Sequence, residues 1–138
     1  MDANIIDDNI KELFEAALAV QKNSHSPYSN YKVGAAIRTA SGRIFAGCNV
    51  ENAAYPQGSC AEAGAISAMV SAGEHVIVAV VTVCDGEPVG TCCGGCRQRI
   101  REFAALDTPI YACDATGVRL TFTLEGLLPQ SFGPDHLR

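Results

Sequence analysis

Six consecutive residues, Val76-Ile77-Val78-Ala79-Val80-Val81, are apolar and, Ala79 apart, β-branched. So short and branched a run reads as a strand covered on both faces. Such a strand is central to its sheet, and helices have to lie above and below it. The sequence supplies them. Ile10, Leu13, Phe14, Ala17 and Leu18 recur at helical steps behind Asn9 and Glu12, which read as a capping box, so a first helix is expected over about 9–21. A second is expected from Ala61 to about Ala72, ended by Gly73. A third is expected from Gln98 to Leu106, with Ile100 and Phe103 facing inward.

Shorter strands complete the pattern. Lys32 to Thr39 follows a turn-rich stretch, and Ala40-Ser41-Gly42-Arg43 folds it against Ile44 to Cys48. Asn49 to Ser59 has no period and reads as a loop whose polar residues face solvent or a ligand. Beyond a second loop, Asp85 to Cys92, come a strand from Pro109 to Cys113, a hairpin turn at Ala115-Thr116-Gly117, and a strand from Arg119 to Thr123. Leu124 to Leu128 forms a last helical turn before Pro129. Alternating helices and buried strands imply an α/β layer structure whose right-handed crossovers set the second and third helices beside the central strand. At 138 residues, one domain spanning 1–138 is expected.

Charge and cysteine content narrow the chemistry. With 15 Asp and Glu against 10 Lys and Arg, a net charge of −5, the chain has no basic footprint for a nucleic acid polymer. It has no apolar run long enough to span a membrane and no basic flank at Met1-Asp2-Ala3-Asn4, so a cytoplasmic location and no membrane partner are expected. Seven cysteines is an odd number for a disulfide framework; in a reducing compartment, clustered thiols are metal ligands, redox groups or small buried hydrophobes.

Cys60-Ala61-Glu62 opens the second helix, and Cys93-Gly94-Gly95-Cys96 precedes the third. A catalytic zinc takes three protein ligands and keeps a fourth position open, and two thiols separated by two residues form a local chelate. Cys93 and Cys96 supply that chelate, and Cys60 adds the third ligand if the two helices begin side by side. Their dipoles then offset part of the thiolate charge. Three thiolates around Zn²⁺ leave a net charge of about −1, which makes a coordinated water less acidic than histidine ligands would. A base is therefore needed, and Glu62 is placed to be one. Two other readings stay open: a redox pair of Cys93 and Cys96, or a non-catalytic structural zinc module with Cys92 or Cys84 as fourth ligand. Neither has a use for Glu62. Cys92 points away from its neighbour's direction and is not expected to ligate. Cys48, Cys84 and Cys113 read as small buried hydrophobes, and His25, His75 and His136 as surface residues.

Further stretches accompany these motifs: Pro27-Tyr28-Ser29, Val33-Gly34-Ala35-Ala36, Gly47-Cys48-Asn49-Val50-Glu51-Asn52-Ala53-Ala54-Tyr55, Leu127-Leu128-Pro129 and Phe132. In them the chain resembles the small homotetrameric cytidine deaminases of pyrimidine salvage. The resemblance implies a three-layer α/β/α sandwich around a five-stranded mixed sheet, with one Zn²⁺ per subunit. It implies hydrolytic deamination of cytidine and 2′-deoxycytidine to uridine and 2′-deoxyuridine with release of ammonia. Cys60, Cys93 and Cys96 match the metal ligands and Glu62 the proton shuttle, which would protonate N3 and then the departing amine as hydroxide attacks C4. Asn49 and Glu51 match the residues that hold the ribose hydroxyls. Tyr31 stands where an aromatic, usually Phe, meets the substrate, and Ala61 and Tyr55 fall on pocket positions. Phe132 matches an aromatic that packs on the base bound by a neighbouring subunit, so active sites completed across a homotetramer are expected.

Two departures stand out. Cys92 replaces the Pro that usually precedes the first cysteine of the chelate, from which a slightly looser loop and an oxidisable thiol near the metal are expected. Ala63 replaces an Arg that in many members contacts the thiolates, leaving the helix dipoles and Arg97 to offset their charge. A deaminase of a modified cytosine nucleoside such as blasticidin S is the nearest enzymatic alternative, and the Asn49-Val50-Glu51-Asn52 loop argues against it.

Overall fold

The computed structural model describes residues 8–137. In chain order it comprises α1 (Asp8–Gln21), β1 (Val33–Thr39), β2 (Ile44–Cys48), α2 (Ala61–Ser71), β3 (Ile77–Cys84), α3 (Gly94–Arg101), β4 (Pro109–Asp114), β5 (Gly117–Thr123) and α4 (Leu124–Leu127). Single 3-10 turns lie at Tyr55–Gln57 and Pro134–His136. The strands form one sheet in the order β2-β1-β3-β4-β5, so the β-branched run is the middle strand. The β3 and β4 pair is parallel and the others antiparallel, which makes the sheet mixed.

Side chains that alternate along the strands feed two cores. Ile37 and Val80 pack with Ala65, Met69 and Ile100 of α2 and α3. Ala36, Val81 and Val83 pack with Leu13, Phe14 and Ala17 of α1 on the opposite face. The architecture is thus an α/β/α sandwich. Cover on β3 is incomplete at its N-terminal end: Val78 is 41% exposed, and Val76 falls outside the strand, which instead runs on to Cys84.

Three local expectations are corrected. Helix α1 already includes Asn9, so Asn9 and Glu12 do not form a capping box; the Asn9 carbonyl accepts from Arg38 Nη2 at 3.0 Å, and Glu12 pairs with the same guanidinium at 3.1 Å. The third helix begins at Gly94 and ends at Arg101, not at Gln98 and Leu106. Glycine's poor helix propensity, about 1 kcal/mol per residue against alanine, is overridden by the packing of Cys96 and Ile100 into the core. Its early end is set by Ile77, whose N–H takes the Phe103 carbonyl at 2.9 Å and starts β3. Cys48 is half-buried where full burial was expected, whereas Cys84 and Cys113 are buried.

Strand polarity positions the rest. Strands β2 and β3 each pair antiparallel with β1 between them, so they run the same way. Helices α2 and α3, which follow them, therefore begin at the same edge of the sheet. Gly47 lets α2 approach: a Cβ there would stand 2.6 Å from the Ala65 nitrogen and 2.8 Å from the Ala61 oxygen. Among the described residues no helix is long and apolar enough to cross a membrane.

Candidate active site

Cys60 is the N-cap of α2 and Cys93 the N-cap of α3, both in extended backbone conformation, and neither side chain caps its own helix. Cys96 lies buried in the first turn of α3. The three sulfurs lie within 4.8 Å of one another, with Cys60 Sγ and Cys93 Sγ 3.7 Å apart and no disulfide between them. A tetrahedral zinc with Zn–S bonds of about 2.3 Å has S···S edges of about 3.8 Å, so these thiols fit the ion. Burial, and then the charge of Glu62, push the Cys96 thiol up, so without a cation the sulfur keeps its proton, and a bound metal ion has to displace it. Cys92 and Cys84 lie outside the cluster, the only one of its kind among the described residues, and no fourth thiol closes it.

Glu62 occupies the first turn of α2 and is 4% exposed. Cys92 is hydrogen-bonded to it, and burial followed by the Glu62 charge pushes the Cys92 thiol up. The expected oxidisable thiol is therefore a correction: Cys92 is 2% exposed and is held as a neutral donor packed into the core.

A cavity of about 340 Å³ opens beside the cluster. Cys60, Ala61, Glu62 and Cys93 line its inner end, and Tyr31, Asn49, Glu51 and Tyr55 line the rest. Cys96 lies behind this surface. Asn49 is anchored by its own amide: Oδ1 accepts from the Val33 N–H at 2.9 Å and from the Ser24 hydroxyl, and Nδ2 donates to the Tyr31 carbonyl at 2.8 Å. One Nδ2 proton remains for a ligand. Glu51 accepts from the Ser29 hydroxyl, from the Tyr28 N–H at 2.9 Å and from the Ser29 N–H at 3.2 Å. These bonds, the Ser29 hydroxyl foremost, hold its carboxyl below the ordinary carboxylate range. Tyr31 donates its hydroxyl to Cys84, and burial together with that bond raises its pKa to about 12. Tyr55, 75% exposed, stands at the mouth with its ring edge-on to Tyr28 at 5.9 Å.

Phe132 does not line this cavity. It projects from the C-terminal segment, 57% exposed, its ring stacked on His136 at 5.0 Å. Gln98 holds its carbonyl at 2.8 Å, and Arg101 grips Ser131 at 2.9 Å and Asp135 at 2.7 Å. All three histidines are exposed, as expected.

Several wall residues were not anticipated. Thr82 and Cys84 project into the cavity from β3, and the Thr82 hydroxyl is buried with no partner among the described residues. A hydroxyl interrupting the apolar run from Ile77 to Val83 was the available signal. Arg97 does not serve the thiolates: it binds the Cys92 and Leu127 carbonyls, each at 2.8 Å, and the Thr91 hydroxyl at 3.0 Å. Arg99 reaches the cluster instead, donating to Cys96 Sγ at 3.5 Å.

Known proteins share both this sequence and this fold. The family model for the cytidine and deoxycytidylate deaminase zinc-binding region matches residues 7–112. The chain is 35% identical over 129 residues to the cytidine deaminase of Sporosarcina psychrophila, covering 94% of this chain and 95% of that protein. It is 34% identical over 125 residues to the cytidine deaminase of Halalkalibacterium halodurans, covering 91% and 95%. The crystal structure of cytidine deaminase from Burkholderia pseudomallei superposes with a TM-score of 0.83 at 35% identity, covering 88% of this chain and 98% of that one. That from Mycobacterium tuberculosis gives 0.78 at 33% identity, covering 92% and 99%. With most of its length matched by the family model and relatives aligned nearly end to end, the chain belongs to the zinc-binding cytidine and deoxycytidylate deaminase family.

Proposed function

We propose that this chain deaminates cytidine and 2′-deoxycytidine hydrolytically, giving uridine and 2′-deoxyuridine with release of ammonia. The observation that carries the reading is the pairing of an open three-thiol cluster, with Cys60 and Cys93 sulfurs 3.7 Å apart, and a buried carboxylate at the inner end of one cavity. Cys60, Cys93 and Cys96 hold one Zn²⁺ per chain, which supplies Lewis acidity for activating water and for stabilising charge that develops at C4. Glu62 takes one proton from the attacking water and delivers it to N3 of cytosine, then takes the second from the hydroxyl added at C4 and passes it to the amine, which leaves as ammonia as the C4 carbonyl forms. Its burial keeps that proton from bulk solvent.

The outer cavity orients the nucleoside. Asn49 offers its free Nδ2 proton and Glu51 its remaining lone pair to the ribose hydroxyls, while Tyr31 and Ala61 form walls for the base and Tyr55 guards the mouth. Phe132 is held rigidly by Gln98 and Arg101 yet stays exposed, which supports a role on a neighbouring subunit's base in a homotetramer. On this reading residues 1–138 act as one catalytic domain in cytoplasmic pyrimidine salvage. A structural zinc module is disfavoured by the missing fourth thiol, and a modified-nucleoside deaminase by the Asn49 and Glu51 loop.

The test measures zinc per chain and ammonia released from cytidine in one preparation, with blasticidin S as competitor. One zinc per chain and cytidine turnover that Glu62→Gln abolishes are expected. Zinc without ammonia release would refute the enzymatic reading.

A further inference from the structure

Three thiolates give a zinc centre a net charge of about −1, and a group that hydrogen-bonds such a ligand tunes how firmly the metal is held. The first turn of α2 offers no cation, since Glu62 is an acid and Ala63 has no polar side chain. Arg97, adjacent to Cys96, is committed to the Cys92 and Leu127 carbonyls and the Thr91 hydroxyl. Arg99 stands three residues beyond Cys96 on α3, a spacing that puts two side chains on one helical face. Its Nη1 donates to Cys96 Sγ at 3.5 Å, within reach of a hydrogen bond to sulfur. Room for it comes from Gly95, where a Cβ would stand 3.2 Å from that Nη1.

We propose that Arg99 is the cation that balances the thiolate cluster, a positioning residue that acts on the metal through Cys96 and sets how tightly the zinc is retained. This rests on Cys60, Cys93 and Cys96 being the zinc site. A guanidinium keeps its charge at every relevant pH and presents a planar fork of donors, so Lys is an incomplete substitute. Arg99 itself is exposed, so salt weakens its contribution.

The test is competition for Zn²⁺ between the full-length protein and a chromophoric chelator, in the parent and in Arg99→Met, Arg99→Gln and Arg99→Lys. The Met and Gln variants should bind zinc about tenfold more weakly, Lys should fall between, and the differences should narrow in 1 M salt. Lys11→Met, on α1, should match the parent. A second readout is Co²⁺ bound in place of zinc: without the Arg99 donor the sulfur lone pairs rise in energy, so the thiolate-to-metal charge-transfer band should move to longer wavelength. A merely structural role would not move that band. Met and Gln variants that bind zinc as the parent does, with an unshifted band, would overturn the assignment of Arg99. A parent that binds no zinc would instead overturn the metal-site reading.

Discussion

Gly90→Ala adds one methyl group at the place where the cavity wall has no room for it. A Cβ at Gly90 would overlap the Tyr31 hydroxyl and stand 3.1 Å from Cys84 Sγ and 3.3 Å from Cys84 Cβ. The backbone there is not in the left-handed region, so the substitution acts through this contact alone. Cys84 is buried and cannot retreat, whereas Tyr31 is 42% exposed. The main chain of Tyr31 is pinned, its N–H to the Ser29 hydroxyl at 3.0 Å and its carbonyl to Asn49 at 2.8 Å, so the ring has to swing about its side-chain bonds. That motion sacrifices the hydroxyl bond to Cys84, about 1 kcal/mol, and displaces an aromatic wall worth about 0.5–1.5 kcal/mol to a stacked ligand.

The lost hydroxyl bond weakens free and bound enzyme alike, so only the displaced wall counts against substrate binding: about 0.5–1.5 kcal/mol, or roughly a 2- to 13-fold rise in KM, with kcat changed much less because the metal ligands and Glu62 are untouched. The assay is initial-rate ammonia release across cytidine concentrations, with zinc per chain measured alongside. Tyr31→Phe removes the overlapping oxygen, so the double variant Tyr31→Phe/Gly90→Ala should recover most of the parent KM. If Gly90→Ala left KM within about twofold of the parent, or if the double variant were as impaired as Gly90→Ala alone, the steric reasoning would be wrong. Tyr31→Ala separates the two links: an unchanged KM there would remove Tyr31 itself from the substrate pocket.

Glu62→Gln keeps shape and burial but cannot carry a proton, so kcat should fall about 10²- to 10⁴-fold with zinc retained; a smaller loss by steady-state kinetics would assign the proton transfer elsewhere. Thr82→Val deletes a buried hydroxyl that has no partner among the described residues, so urea unfolding should show stability held or raised by up to about 1 kcal/mol while KM rises; lost stability would mean the hydroxyl serves the fold. Glu51 is held below its ordinary carboxyl value of 4.5, so its grip on a ribose hydroxyl is complete above that pH and is lost only as pH falls through the lowered value. The KM for cytidine should accordingly stay flat from neutral pH down to about 5, and Ser29→Ala, which removes the foremost bond, should bring the rise to higher pH. Chelation of zinc should lower the melting temperature as well as abolish turnover, because the ion binds the three sulfurs only where the fold brings them together and its removal withdraws that binding free energy from the folded state; an unchanged melting curve would separate metal binding from the fold.

The features readable from sequence were those whose causes lie close together in the chain. The Val76 to Val81 run names its own strand, and once that strand is central, the cysteines of α2 and α3 must meet, because both helices start at one edge of the sheet. What sequence could not supply were contacts between distant segments: the hydroxyl of Tyr31 set between Cys84 and Gly90, or Arg97 drawn to the Leu127 carbonyl. The start of α3 was misplaced for a related reason, since propensity argues against helix at Gly94-Gly95 and only the burial of Cys96 and Ile100 overturns it. Arg99 is the instructive case. Sequence adjacency favours Arg97 as the neighbour of Cys96, but on a helix residues three apart share a face and adjacent ones do not. Had the helix been given its true start, geometry alone would have selected Arg99, so one boundary error at two glycines concealed the residue that touches the metal ligand.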